Sequence, residues 1–131
     1  MKKYFYLLLA LPLLLLSACG DDDDSGTNSQ DSYYVKYEVE NGKEISGDDH
    51  TSRNITYKTV TDEKVITVVD EPWDGTYGPF KRGDRVYMII SATGRYSTNA
   101  RLSISKNKEA FAIKDEFRDA TGGILEYTIN Y

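Results

Sequence analysis

From Tyr33 onward, apolar and polar residues alternate with a period of two rather than 3.6. Val35, Tyr37 and Val39 are interleaved with Lys36, Glu38 and Glu40, the pattern of a strand with one buried and one wet face. Asn41-Gly42 closes this strand, and Gly47-Asp48-Asp49-His50 reads as loop. A second strand is predicted over 54–60, with Ile55 and Tyr57 inward. Thr61-Asp62-Glu63 then turns the chain into the run from Lys64 to Val69, so that 54–69 forms a hairpin. After Pro72-Trp73-Asp74-Gly75 a short strand is expected at 75–80, stopped by Lys81-Arg82-Gly83-Asp84. The run from Arg85 to Ala92 is the most apolar of this region and predicts a central strand covered on both faces. A further hairpin is predicted from Ala100–Ser105 and Ala110–Ile113 about Lys106-Asn107-Lys108, with Leu102 and Ile104 facing the same way as Phe111 and Ile113. Lys114 to Ala120 has room for one helical turn before Gly122-Gly123. The last strand runs from Ile124 to Tyr131, with Leu125, Tyr127, Ile129 and Tyr131 on one face.

Seven or eight short strands at spacings of about ten residues, with no convincing helix, make the chain all-β and predict an Ig-like two-sheet antiparallel β-sandwich. Tyr33, Tyr37, Tyr57, Tyr87, Tyr127 and Tyr131 fall at strand positions where inward rings would fill its core. Segments 33–40 and 54–60 are expected at sheet edges, where their outward lysine or arginine discourages further pairing.

The first 32 residues follow a different logic. Lys2-Lys3 precedes an apolar run from Tyr4 to Leu16, the n-region and h-region of an export signal. The run is shorter than the roughly 20 residues a membrane span needs. Leu16-Ser17-Ala18-Cys19 resembles the lipobox of bacterial lipoproteins. That resemblance implies removal of residues 1–18 as a signal peptide, acylation of the Cys19 thiol, and a mature chain that begins there. Residues 19–32 then form a lipidated cysteine and an acidic tether too polar to repay the entropy of ordering. Such a coil spans roughly 20 Å and holds the domain close to the headgroups. Asp21, Asp22, Asp23 and Asp24 resemble the export signal of Bacteroides-type surface lipoproteins. The implied location is the outer membrane, lipid-anchored, with the domain at the cell surface; the periplasmic face is the alternative.

Residues 33–131 remain as one domain of 99 residues. Its 14 Lys plus Arg face 16 Asp plus Glu without a like-charge run, which argues against nucleic acid as a partner. The sole cysteine is used by the lipid, so no disulfide is available. There is no Gly-rich phosphate loop, no H-E-x-x-H, no G-x-S-x-G and one histidine. His50 beside Asp48 and Asp49, and Asp70, Glu71 and Asp74 around Pro72-Trp73, read as solvated loop residues rather than as a metal site or a glycosidase pair. No catalytic residue, cofactor or metal is therefore expected. Trp73, Tyr77 and Tyr96 lie beside Gly or Pro in connecting segments and are the candidate binding residues, a platform for a sugar ring or a partner's apolar side chain.

The order of features is similar to the small mycobacterial membrane protein (MmpS) family and its lipoprotein relatives. It rests on Val35-Lys36-Tyr37-Glu38-Val39, Ile55-Thr56-Tyr57, Pro72-Trp73, Lys81-Arg82-Gly83-Asp84 before an apolar strand ending in Ser91-Ala92, and Leu102-Ser103-Ile104. The resemblance covers nearly the whole domain. It implies a small envelope β-sandwich, some members of the family assisting lipid or siderophore exporters, with Trp73 plugging one end. Here a lipid and an acidic tether stand where that family has a membrane helix. Two functions follow as expectations. One is a non-catalytic binding or accessory module serving an envelope protein, a transporter or a glycan, assisting export or uptake, its soluble domain monomeric. The other is a structural envelope lipoprotein whose sheet edges pair with neighbours.

Cys19→Ala is expected to release the protein from the membrane fraction or leave it unprocessed, as read by lipid labelling and detergent phase separation. Equal membrane retention of the unacylated variant and the wild type would contradict the lipid anchor.

Overall fold

The computed structural model describes residues 30–131, of which Asp31–Tyr131 form one compact unit. The period-two pattern becomes eight strands: β1 (Tyr33–Glu44), β2 (Thr51–Lys58), β3 (Glu63–Val69), β4 (Trp73–Phe80), β5 (Arg85–Gly94), β6 (Tyr96–Lys106), β7 (Ala112–Asp119) and β8 (Gly122–Thr128). They form two antiparallel four-stranded sheets, ordered β4-β1-β6-β7 and β3-β2-β5-β8. The chain is a β-sandwich. β1 and β2 lie in opposite sheets, and β4 and β5 return beside them, so neither sheet is built from consecutive strands alone.

Alternation decides which side chains enter the space between the sheets. Tyr33, Val35, Tyr37 and Val39 from β1, Ile55 and Tyr57 from β2, Val86, Met88 and Ile90 from β5, Leu102 and Ile104 from β6 and Leu125 from β8 are buried together. Ring packing is concentrated on the β4 side. Tyr57 lies 4.9 Å from the Trp73 ring and 5.1 Å from the Tyr77 ring, centroid to centroid, and Tyr37 lies 5.8 Å from Tyr57. Gly75 makes room here, because a Cβ at that position would sit 2.6 Å from the Tyr77 hydroxyl.

Several expectations change. Segments 33–40 and 54–60 are interior rather than edge strands: β1 pairs with β4 and β6, and β2 pairs with β3 and β5. β5 is central as expected, yet only one of its faces is covered; Arg85, Ile89 and Ser91 on the other are exposed. Tyr87 lies on that outer face, where its hydroxyl meets the Glu63 carboxylate and the Arg85 guanidinium stands 4.9 Å from its ring. Residues 114–120 are extended in β7 and make no helical turn; Phe117, alternating with the charged residues beside it, packs on the core. A register shift between Leu102 and Ser103 pairs Ser103 with Ile113. Ile113 is therefore exposed while Leu102 is buried, contrary to the expected common face. β8 stops at Thr128, and the end of the chain is held by Ile129, whose N–H donates to the Asp84 carbonyl at 3.0 Å.

Leu125 is fully buried between the sheets. Leu125→Asp is expected to cost at least about 3 kcal/mol, since it loses apolar burial and places an unpaired charge in the core. Chemical denaturation checks this, and a midpoint like that of wild type would contradict the inward assignment of β8.

Candidate functional site

Cys19, Asp21, Asp22, Asp23 and Asp24 lie outside the described residues. Of the three candidate binding aromatics, Trp73 and Tyr77 are strand residues of β4, not loop residues. Both pack against the core through Tyr57. Burial, with a hydrogen bond involving Tyr57, pushes the Tyr77 phenol up to about 12. Tyr96 opens β6 opposite Glu44 and stacks against the Arg95 guanidinium, 5.3 Å from its ring. The structure joins Trp73 and Tyr77 in one cluster and gives Tyr96 a different set of neighbours.

At the start of β2 a polar cluster replaces the apolar core. Arg53 shares the inward parity of Ile55 and Tyr57 and is fully buried. Its Nε donates to Thr98 Oγ1 at 2.7 Å, Nη1 to Asn41 Oδ1 at 2.8 Å and Nη2 to the Ser97 carbonyl at 3.0 Å. Its hydrogen-bond partners are neutral, and burial lowers its pKa. These bonds tie β2 to β1 and β6 across the sandwich. Asp70, at φ 62°, fastens the same end. Its Oδ1 accepts the Thr51 N–H at 2.8 Å, its Oδ2 lies 2.6 Å from His50 Nδ1, and its carbonyl accepts Asn41 Nδ2 at 3.2 Å. His50 thus pairs with Asp70, twenty positions on, rather than with Asp48 or Asp49. Arg53 was the residue most easily missed in the sequence, although strict alternation back from Ile55 points it inward. An open depression of about 520 Å³ beside this end is lined by Asn41, Lys43, Ser97, Asn99 and Arg118. Among the described residues no three of His, Cys, Asp and Glu come together as a metal site.

The sheet edges differ sharply from one another. Among the described residues, β4, β7, β3 and β8 each have one unpaired side. β4 carries Asp74, Gly75, Gly78 and Pro79, the last without an N–H to offer. β7 carries Lys114, Asp115, Glu116, Arg118 and Asp119. β8 carries Glu126, whose N–H is taken by Asp115 Oδ2 of β7 at 3.1 Å; Phe117 of β7 packs inside, about 3.1 Å from where a Gly123 Cβ would be. β3 is unlike these three, being uncharged from Val65 to Val69.

The backbone of β3 is also presented in a defined way. Its ladder to β2 is bounded by Thr59 N–H to the Asp62 carbonyl at 2.8 Å and Asp70 N–H to the Thr51 carbonyl at 2.9 Å. Antiparallel alternation then directs the N–H and C=O of Lys64, Ile66 and Val68 to β2, and those of Glu63, Val65, Thr67 and Val69 to the open side. On the outer face of the same sheet, cross-strand register sets Val65, Thr56, Ile89 and Ile124 in one row. Val65 is 67% exposed, Ile89 41% and Ile124 62%. The edge and this row together form an apolar, hydrogen-bonding margin.

No protein-family model matches the chain, and no curated protein matches it.

The Asp70 carboxylate beside it raises the His50 pKa, and the Thr51 N–H, with His50, lowers that of Asp70. The contribution of the pair is therefore fully present between roughly pH 4 and 6.5. It is lost as pH rises through the raised imidazole value or falls through the lowered carboxylate value. An NMR titration of the imidazole is expected to give a midpoint above about 6.5 that returns toward it in Asp70→Asn. Identical midpoints in the two proteins would contradict the clasp.

Proposed function

We propose that this chain is a lipid-anchored envelope protein whose sandwich is a non-catalytic assembly module, joining other protein by strand addition at β3. Cys19 supplies the anchor, and Asp21–Asp24 carry the domain to the outer face of the outer membrane. The observation that carries this reading is the open edge of β3, apolar from Val65 to Val69 and contiguous with an exposed apolar row. Soluble proteins ordinarily blunt such an edge with charge, proline or a bulge. The other three edges here are blunted or covered in that manner.

Lysine and arginine on 33–40 and 54–60 speak against edge pairing, and so for a pure binding module, only if those segments are sheet edges. Those segments are interior strands, so the weight moves to assembly. The aromatic platform loses support as well, because Trp73 and Tyr77 are used in packing Tyr57 and Tyr37. Strand addition suits a surface lipoprotein physically: main-chain hydrogen bonds supply affinity, and alternate side chains supply specificity. The accessory role implied by the MmpS resemblance would use the same edge, with an envelope partner contributing the strand.

Val65→Lys puts a charge at the centre of the margin on an exposed side chain. It is expected to shift the protein from larger membrane complexes to the single-chain position on native gels after mild solubilisation, with lipid labelling unchanged. Migration indistinguishable from wild type would contradict assembly through β3.

A further inference from the structure

The strand-addition reading leaves open whose strand is added, and resting on that reading we infer that it is β3 of a second copy of this chain, running antiparallel about a two-fold axis at Thr67. In an antiparallel pair about an axis normal to the sheet, opposed residues share a face, and those exchanging hydrogen bonds must all direct their backbone groups outward. Val65, Thr67 and Val69 meet that condition. With Thr67 opposite itself, Val65 of each copy faces Val69 of the other on the outer side. Ile66 faces Val68 on the inner side, and the paired segment ends at Val69, because Asp70 leaves the extended conformation at φ 62° and its carboxylate is held by the Thr51 N–H and His50. Aliphatic pairs and a threonine pair are combinations that favour cross-strand pairing. Glu63 and Lys64 lie outside the paired segment of Val65–Val69. Moving the axis to Ile66 is poorer: it sets the Glu63 carboxylate against Val69 and the Lys64 ammonium against Val68.

The same symmetry explains why association would stop. A two-fold contact uses one patch on both partners and closes on itself. β8, at the far edge of the same sheet, has its outward Glu126 N–H taken by Asp115 and carries the Glu126 charge, so it is a poorer second edge for a filament. The product is a closed dimer with the two β3-β2-β5-β8 sheets joined into one. Its outer surface carries the row of Val65, Ile89 and Ile124 from both copies.

Disulfide trapping tests the register directly. The full chain, carrying Cys19→Ala so that an introduced cysteine is the only thiol, is purified in detergent micelles and mildly oxidised. Thr67→Cys sets two thiols opposite each other with Cα atoms about 5.5 Å apart, within the span a disulfide bridges. The expected result is a disulfide-linked dimer as the main species. Glu116→Cys on the charged β7 edge is expected to remain monomeric. Adding Val65→Lys to Thr67→Cys is expected to lower the crosslinked fraction by at least about tenfold. Equal crosslinking at 67 and 116 would mean random collision and overturn the inference. Absence of the crosslink at 67, while Val65→Lys still dissociates membrane complexes, would overturn the second copy as partner and leave strand addition by another protein standing. Absence of both effects would remove the strand-addition reading together with it.

Discussion

A sheet that does not close on itself leaves a row of backbone N–H and C=O groups along each outer strand, and these must be met by water, by side chains or by another strand. Two open sheets impose that requirement four times. On one side the solution is internal: the β7–β8 hairpin crosses from sheet to sheet, with Phe117 on Gly123 and Asp115 on the Glu126 N–H. The hairpin lies tight because Gly122, at φ +112°, passes where a Cβ would stand 2.0 Å from the Ile90 carbonyl. On the other side β4 is blunted by Gly78 and Pro79, and β3 is left with its groups outward. In the proposed assembly, what the molecule offers to a partner follows from that asymmetry.

The core makes β3 a firm edge rather than a frayed one. Ile66 and Val68 turn inward against the buried cluster, while Trp73, Tyr57, Tyr77 and Tyr37 fill the interior along the β4 side. The rings of Trp73 and Tyr77 close the interior and hold that side of the molecule in shape. At the end of the sandwich where β2 begins, Arg53 does the corresponding work with hydrogen bonds. Its hydrogen bonds reach Asn41, Ser97 and Thr98, and Asn41 in turn reaches the Asp70 carbonyl, so one network joins β1, β2, β6 and the end of β3. A buried cation with neutral acceptors contributes little net stability, but removing it would leave several buried acceptors unpaired. The His50–Asp70 pair lies outside this network in solvent and adds a clasp rather than a core interaction.

Much of the fold was legible because the period of two is strict where one face is buried. Val35–Tyr37–Val39, Ile55–Tyr57 and Leu125 all took their expected inward places. Legibility failed where another constraint competed. The bulge between Leu102 and Ser103 turned Ile113 outward, which no count along β7 could reveal. The charged run after Ile113 looked helical because edge strands tolerate the same polar residues that helices do. Edge and centre were exchanged for β1 and β2 because alternation reports which face is buried, whereas strand neighbours depend on long-range topology. The same limit applied to the site. The type of residue in Val65–Val69 was visible, but that this segment forms an open edge follows only from the order β3-β2-β5-β8.

Backbone amide exchange along β3 tests the central claim most directly, because alternate amides of one strand report on two different neighbours. In the dissociated protein, the amides of Lys64, Ile66 and Val68, bonded to β2, are expected to exchange slowly, and those of Val65, Thr67 and Val69 rapidly. In the assembled protein the second set is expected to become as protected as the first. Continued fast exchange at Val65, Thr67 and Val69 under conditions where complexes persist would contradict strand addition at β3.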